Sequence, residues 1–351
     1  MNRLTYVASG TSYLRTLHEE CRTDPELNKW IKDVFDWMQQ NKNHNFGILY
    51  NAWVEPTFGA VFRDNFKENL ACIQSDSGGL QIVTQGKSIT EELKQQVYDN
   101  QSAYSSMAMC FDEIPVSLSS EKSRRGDLSM RWFDKDRFEE CARSTGKNVY
   151  QQILTFEKDK SEAKPIVIIQ GNCFDTYVKW AEFVLSEIPK TLHSRIGGVA
   201  MGGAALGEGT LESIKRAFFY THMPDVLLET QHMHLLGVGS VARLLPFFVF
   251  MQNGVYENLH LTYDSTTHTS GIHMGRVYLN EMNYDFPRHY NPRWDEIYRD
   301  VMRRFDLGLT PIEYHEALNT KSIVYRDKYG SRVPVIKSCI ATAMSSIDNF
   351  R

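Results

Sequence analysis

Carboxylates in this chain stand where apolar runs stop. Asp76 follows the run 71–74, Asp112 and Glu113 follow 106–111, and Asp264 follows 259–263. Two carboxylates flanking a glycosidic bond can carry out substitution at an anomeric carbon. One attacks or stabilises the oxocarbenium-like centre, and the other handles the leaving group's proton. An aspartate after a strand also caps the helix that follows, so each residue alone has a structural explanation. Several of them on one rim favour chemistry. Glycines accompany them: Asp76-Ser77-Gly78-Gly79 and Gly202-Gly203. Such positions let backbone N–H groups approach a ligand closely, or serve as tight turns between strand and helix.

Other chemistries are narrowed by spacing. His232, His234, His260, His268 and His273 lie in or beside the same segments, so a metal-dependent hydrolase is a second reading. Cysteines at 21, 72, 110, 141, 173 and 339 share no CxxC spacing, which argues against both a disulfide framework and a Cys-rich zinc site. The stretch MGGAALGEG at 201–209 does not meet GxGxxG, and no ribose-binding acid follows at a defined strand end, which argues against a nicotinamide site.

These residues need elements to hold them. Short β-prone apolar runs occur at 46–50, 71–74, 106–111, 165–169, 196–201, 234–238 and 259–263. Helix-like segments separate them, among them the amphipathic 174–188 (FDTYVKWAEFVLSEI), 210–219 and 240–250. Alternating strand and helix predict a parallel sheet. Roughly eight such units in about 300 residues fit a (β/α)8 TIM barrel better than a doubly wound sheet. In that fold the segments SDSGG, DE, QGN, GGAALGEG, GVG and DSTTH all converge on the C-terminal face, where barrel active sites are built.

The first 42 residues read as helical. LNKWIKDVFDWMQQ places Leu27, Trp30, Ile31, Val34, Phe35 and Met38 on one face. The expected organisation is a single domain over 1–351, with an N-terminal helical extension (1–42), the barrel (43–320) and a C-terminal basic tail (321–351).

A chain of 351 residues, 42% hydrophobic and 23% charged, can bury a core of that size. No run of about 18 apolar residues predicts a membrane span. The N-terminus lacks the apolar stretch of a signal peptide, and with scattered cysteines a cytoplasmic protein is expected. The net charge of -4 does not advertise a nucleic-acid partner, but it hides local basic runs. Lys321, Arg326, Lys328, Arg332 and Lys337 are accompanied only by Asp327, and Lys122, Arg124 and Arg125 form a second group. Each is either a solvated surface or a salt-sensitive contact to a phosphate backbone.

The motifs SDSGGLQ (75–81), MCFDEIP (109–115), IIQGN (168–172), MGGAALGEG (201–209), LLGVGS (235–240) and YDS (263–265), in this order, resemble the tRNA-guanine transglycosylases. The resemblance implies a base exchange. Asp264 would attack C1′ of a guanosine and hold the sugar covalently while guanine leaves, and Asp76 would be the general acid/base. Asp112 would read the N1/N2 edge of the base, with Gln170 and the backbone N–H of Gly203 on its O6 side. Ser77, Gly78 and Gly202 would line the pocket, and Leu80 and Leu236 would sandwich the base plane. Such a pairing suits guanine, whose donor edge fits a carboxylate and whose O6 fits N–H donors. The target nucleotide would have to leave its stack.

The chain also departs from the family. Leu80 stands where the family commonly has an aromatic residue, Leu236 where it has methionine, and Ala204 where it often has leucine beside the 7-substituent. The C-terminal CxCxxC zinc site is missing, since only Cys339 remains beyond Cys173. Ser265-Thr266-Thr267-His268 replaces the basic segment after the nucleophile. That pattern resembles the DpdA-type branch, the DNA-guanine transglycosylases of phages and bacteria. It implies exchange of guanine in DNA for a 7-deazaguanine such as preQ0, with restriction evasion as the purpose. The expected partners are DNA and the free base, without a cofactor or metal. A tRNA substrate and a non-catalytic nucleic-acid-binding subunit of the same fold are the alternatives.

Overall fold

The computed structural model describes residues 2–9, 24–41, 44–79, 89–117, 132–202, 209–266, 268, 276–279, 282–285, 287–320 and 322–351. Eight strands close into a barrel in which each pairs with its neighbours in sequence and the first meets the last. They are β1 (Arg3–Ala8), β2 (Asn45–Asn51), β3 (Ile73–Asp76), β4 (Met107–Met109), β5 (Lys164–Ile169), β6 (Gly198–Met201), β7 (His232–Leu235) and β8 (His260–Ser265). Helices intervene along the chain, so the fold is the (β/α)8 TIM barrel that the alternation predicts.

Strands covered on both faces tolerate near-continuous apolar sequence. In β5, KPIVII is buried from Pro165 onward. The helix Phe174–Ser186 buries Tyr177, Trp180, Ala181 and Val184, a stripe at helical spacing. Its Trp180 Nε1 donates to the Ile168 carbonyl at 3.0 Å, which ties that helix to the barrel wall.

The chain divides into two compact units. One comprises Met1–Val7, Gly47–Lys67 and Cys72–Asp264, and holds most of every barrel strand. The other comprises Ala8–Phe46, Glu68–Ala71 and Ser265–Arg351. In the second unit the helix Pro25–Gln39 starts where the Asp24 carboxylate accepts the Leu27 N–H at 2.9 Å, with Pro25 in the first turn. It buries Leu27, Ile31, Val34, Phe35 and Met38, as its spacing predicts.

Two expected boundaries change. Residues 1–42 read as helical, yet Arg3–Ala8 is a barrel strand. Six residues are too few to show a period, and closure of the barrel supplies the partners that make RLTYVA extended. The segment 321–351 is an exposed basic stretch only in its first part, where Val324 and residues 326–331 are exposed. Its second half is the helix Val333–Phe350, buried from Val335 to Ile347 along most of its length. Only Lys337 and Asp348 are charged within it, so its sequence is that of a core helix. The Arg351 guanidinium donates to the carbonyls of His44 and Met38 at 2.9 and 3.0 Å. Basic residues of this segment have local partners: Lys328 meets Glu316 at 2.6 Å, and Lys337 lies 5.3 Å above the Trp30 ring. Lys122, Arg124, Arg125 and Lys321 lie outside the described residues. Among the described residues no helix is long and apolar enough to cross a membrane.

Candidate active site

Strand register sets the level of the barrel mouth. Ile169 pairs with Met201, Met201 with Leu235, and Leu235 with Tyr263. One residue further along these chains stand Gln170, Gly202, Leu236 and Asp264. Alternation along a strand puts them on the face opposite the paired residues, which here is the interior. Across the barrel, Asn51 pairs with Asp76. The rule that placed polar residues just past apolar runs therefore brings Asp76, Gln170, Gly202, Leu236 and Asp264 to one end of the barrel.

Asp264 is buried, with 7% of its surface exposed. Its Oδ1 accepts the Gly237 N–H at 2.7 Å, and His234 Nε2 lies 3.4 Å from the same oxygen. Gly237 has φ +65°, a conformation that L side chains rarely adopt, and this turn aims its N–H at the carboxylate.

Asp76 has different surroundings. Asn51 Nδ2 donates to its Oδ2 at 3.3 Å, while Asn51 Oδ1 accepts the N–H groups of Trp53 and Val54 at 3.1 and 2.9 Å. Gly78 has φ +77°, and a Cβ there would stand 2.7 Å from Asn51 Oδ1. Glycine thus keeps this turn closed against Asn51. Ser77 is buried and its Oγ accepts the Gly79 N–H at 3.3 Å. Burial, then the charge of Asp112, push the Asp76 carboxyl up to about 6, and Asp264 adds to the rise. Backbone N–H groups of Gly78 and Ser77 oppose it.

Asp112 is also pushed up to about 6, chiefly by burial. Its Oδ2 accepts from Gln170 Nε2 at 2.8 Å, which favours the charged form. Gln170 Oε1 is buried with no hydrogen-bond partner among the described residues. The Gln170 amide leans over Gly202, where a Cβ would come within 2.5 Å of it. The Tyr177 hydroxyl donates to the Gly202 carbonyl from behind. Glycine at 202 and tyrosine at 177 therefore set where the Gln170 amide stands.

Glu113, expected with the other rim carboxylates, turns away. Its Oε1 accepts from the Ser144 hydroxyl at 2.5 Å and its N–H donates to Thr145 Oγ1 at 3.0 Å, so it faces the helix Phe138–Lys158. Its charge adds to the rise of Asp112. Leu236 is half-buried at the mouth. Leu80, Gly203 and Ala204 lie outside the described residues.

The histidines read as candidate metal ligands are bound otherwise. His232 Nε2 and His234 Nδ1 both contact Thr262 Oγ1, at 3.0 and 2.8 Å. His260 Nε2 contacts Thr5 Oγ1 at 2.8 Å, and the His268 ring packs 4.3 Å from that of Phe350. Among the described residues no three His, Cys, Asp or Glu side chains are grouped to hold a metal ion. His273 lies outside them.

Sequence reasoning missed Asn51, Gln74, Thr262 and Tyr177. Asn51 was findable, because it too follows an apolar run, 46–50. Gln74 and Thr262 sit at alternate positions before Asp76 and Asp264, a pattern that places them on the same face. Nothing local marks Tyr177.

Compared with protein-family models and with curated proteins, the chain matches none. Its structure is a (β/α)8 barrel, the architecture of many enzymes, with aspartates gathered at the C-terminal mouth.

Proposed function

We propose that this protein is a transglycosylase that exchanges guanine in DNA for a 7-deazaguanine base such as preQ0. The observation that carries the reading is the pairing of Asp264 and Asp76 across the barrel mouth in unlike surroundings. One aspartate faces an N–H donor and an imidazole. The other is raised to about 6, where a carboxyl takes up and releases protons near neutral pH. The motif order supplies the substrate class.

The exchange is a double displacement. An Asp264 oxygen attacks C1′ of the target deoxyguanosine and forms an ester bond to the sugar. The C1′–N9 bond breaks, its electron pair goes to the base, and Asp76 delivers a proton to the departing guanine. The incoming base then loses its ring N–H proton to Asp76, its nitrogen attacks C1′, and the ester to Asp264 breaks. The proton borrowed from Asp76 is returned, so neither carboxyl changes overall. Asp112 receives the N–H edge of the base, and Gln170 holds Asp112 in place. Leu236 offers an apolar surface to the base plane.

One assay tests this. The protein is incubated with labelled guanine or preQ0 and with duplex DNA, single-stranded DNA or tRNA, and label entering polymer is counted. Incorporation into DNA is expected. Label entering tRNA alone would transfer the activity to tRNA, and no incorporation into any polymer would leave a non-catalytic subunit.

A further inference from the structure

The barrel interior below Asp264 is polar where such barrels are ordinarily filled by branched apolar side chains. Thr262 stands two residues before Asp264 on β8 and is fully buried. Its single hydroxyl meets three groups: Gln74 Nε2 at 3.2 Å, His232 Nε2 at 3.0 Å and His234 Nδ1 at 2.8 Å. A hydroxyl has one proton to give and two lone pairs to offer. The Gln74 amide N–H takes one lone pair. One imidazole must then donate to Thr262 and the other must accept from it.

With one proton on each ring, two arrangements satisfy that count. In the first, His232 donates through Nε2–H and Thr262 donates to His234 Nδ1. The His234 proton then sits on Nε2, facing Asp264 Oδ1 at 3.4 Å. In the second, His234 donates through Nδ1–H and turns a bare nitrogen lone pair toward the carboxylate. Burial pushes His232 well below the usual imidazole value, so it carries one proton in either case. The Gly197 carbonyl near His232 favours the second arrangement; among the described residues neither His232 Nδ1 nor His234 Nε2 reaches full hydrogen-bond geometry, so the choice falls on the charge that each ring faces. A donor aimed at a carboxylate is roughly twice as strong as a neutral pair. The first arrangement therefore wins.

We infer that His234 is a positioning residue for Asp264, and that Thr262 holds it in the Nε2–H tautomer that points a donor at the carboxylate. The Gly237 N–H donates to Oδ1 at 2.7 Å, and the His234 Nε2–H stands 3.4 Å from the same oxygen. A hydrogen bond and a facing N–H dipole on one oxygen favour one rotation of the carboxylate and hence one direction of Oδ2. The inference rests on the reading of Asp264 as nucleophile, but its geometry can be tested apart from activity.

The test uses the full chain. In histidine-labelled protein, nitrogen NMR reports which ring nitrogen carries the proton, with the His234 signals identified by their loss in His234→Gln. Protonation at Nε2 is expected, and protonation at Nδ1 alone overturns the proposal. In single-turnover reactions with a guanine-containing DNA oligonucleotide, formation of the denaturant-resistant adduct is followed. His234→Leu should slow it by about 10–100-fold, the scale of a misplaced reacting group, with base and DNA affinity unchanged. His234→Gln, which keeps an N–H at the place of Nε2, should recover most of the rate. Thr262→Val should fall between, although it does not touch Asp264. Unchanged adduct rates in both His234→Leu and Thr262→Val overturn the proposal. If thermal denaturation shows His234→Leu to be unfolded, Thr262→Val carries the comparison. Persistence of the adduct in Asp264→Asn would instead sink the nucleophile reading, and the NMR result would still decide the tautomer.

Discussion

The two sides of the barrel mouth treat their aspartates differently. On the β3/β4 side, burial drives Asp76 and Asp112 to about 6, with the charge of Asp112 adding to the rise of Asp76 and that of Glu113 to the rise of Asp112. On the β7/β8 side, Asp264 meets the Gly237 N–H and the His234 ring on a single oxygen. Like charges in a confined space make a site that binds a proton, whereas converging donors make a site that holds a carboxylate in one orientation. Residue type is the same throughout. The division of labour comes from the neighbours.

The largest expected effect breaks the β7/β8 side. Asp264→Asn should reduce exchange by about 10³-fold or more and eliminate the denaturant-resistant adduct, because the covalent path proposed above would lose its attacking atom. Gel analysis of the adduct checks this, and a retained adduct would move the nucleophile elsewhere. Next, Asp76→Asn should lower exchange by roughly 10²–10⁴-fold, the usual contribution of a general acid or base. In the wild type the second displacement, followed from the preformed adduct on addition of incoming base, should rise with pH through about 6, where Asp76 ionises, while formation of the adduct should fall over the same range. In the variant that limb should disappear.

Asp112→Asn sharpens the comparison instead of destroying it. The Asp112 charge is the second cause of the rise in Asp76. Removing it should move the acidic limb below 6, while the KM for the base increases if Asp112 receives the N–H edge of the base as proposed. A limb left in place would show that Asp76 does not feel Asp112.

The smallest effect concerns stability. Both carboxyls are raised from an ordinary 3.8 to about 6, so the folded state holds their protons more tightly than the unfolded chain does. Their contribution to stability is therefore fully present below about 4, declines as pH rises, and is lost above about 6. Asp76→Asn or Asp112→Asn should stabilise the protein at pH 7 by about 1 kcal/mol, the solvent reaching these side chains having reduced the effect. The gain should vanish near pH 4. Thermal unfolding at the two pH values measures it, and equal gains at both would contradict the electrostatic account of this side of the mouth.

Much of the frame was legible in residue order. The predicted runs from 46–50 to 259–263 overlap β2 through β8, though 71–74 and 234–238 share only two residues each with Ile73–Asp76 and His232–Leu235. The helices Pro25–Gln39 and Phe174–Ser186 bury their apolar stripes; helices also form at Thr210–Tyr220 and Val241–Gln252 as expected, but there Leu211, Ile214, Phe218, Val241, Leu245 and Val249 are exposed. β1 was not legible, because Arg3–Ala8 acquires its extended form from its partners in the closed barrel. Val333–Phe350 was hidden by attention to the basic residues before it, though its own composition is that of a core helix. Glu113 shows the limit of the rim rule. Asp112 and Glu113 adjoin in sequence, yet one bonds to Gln170 and the other to Ser144.

Residue order determined that polar side chains stand at strand ends, and alternation determined that Gln74 shares a face with Asp76, and Thr262 with Asp264. These are local properties, set by the pitch and pleat of the chain. Only the closed barrel decided that this face is the interior, that Gln74 reaches Thr262 across 188 residues of sequence, and that His234 stands between Thr262 and Asp264. Hydrogen-bond count and charge in a buried space depend on every group gathered there, and closure of the sheet is what gathers them.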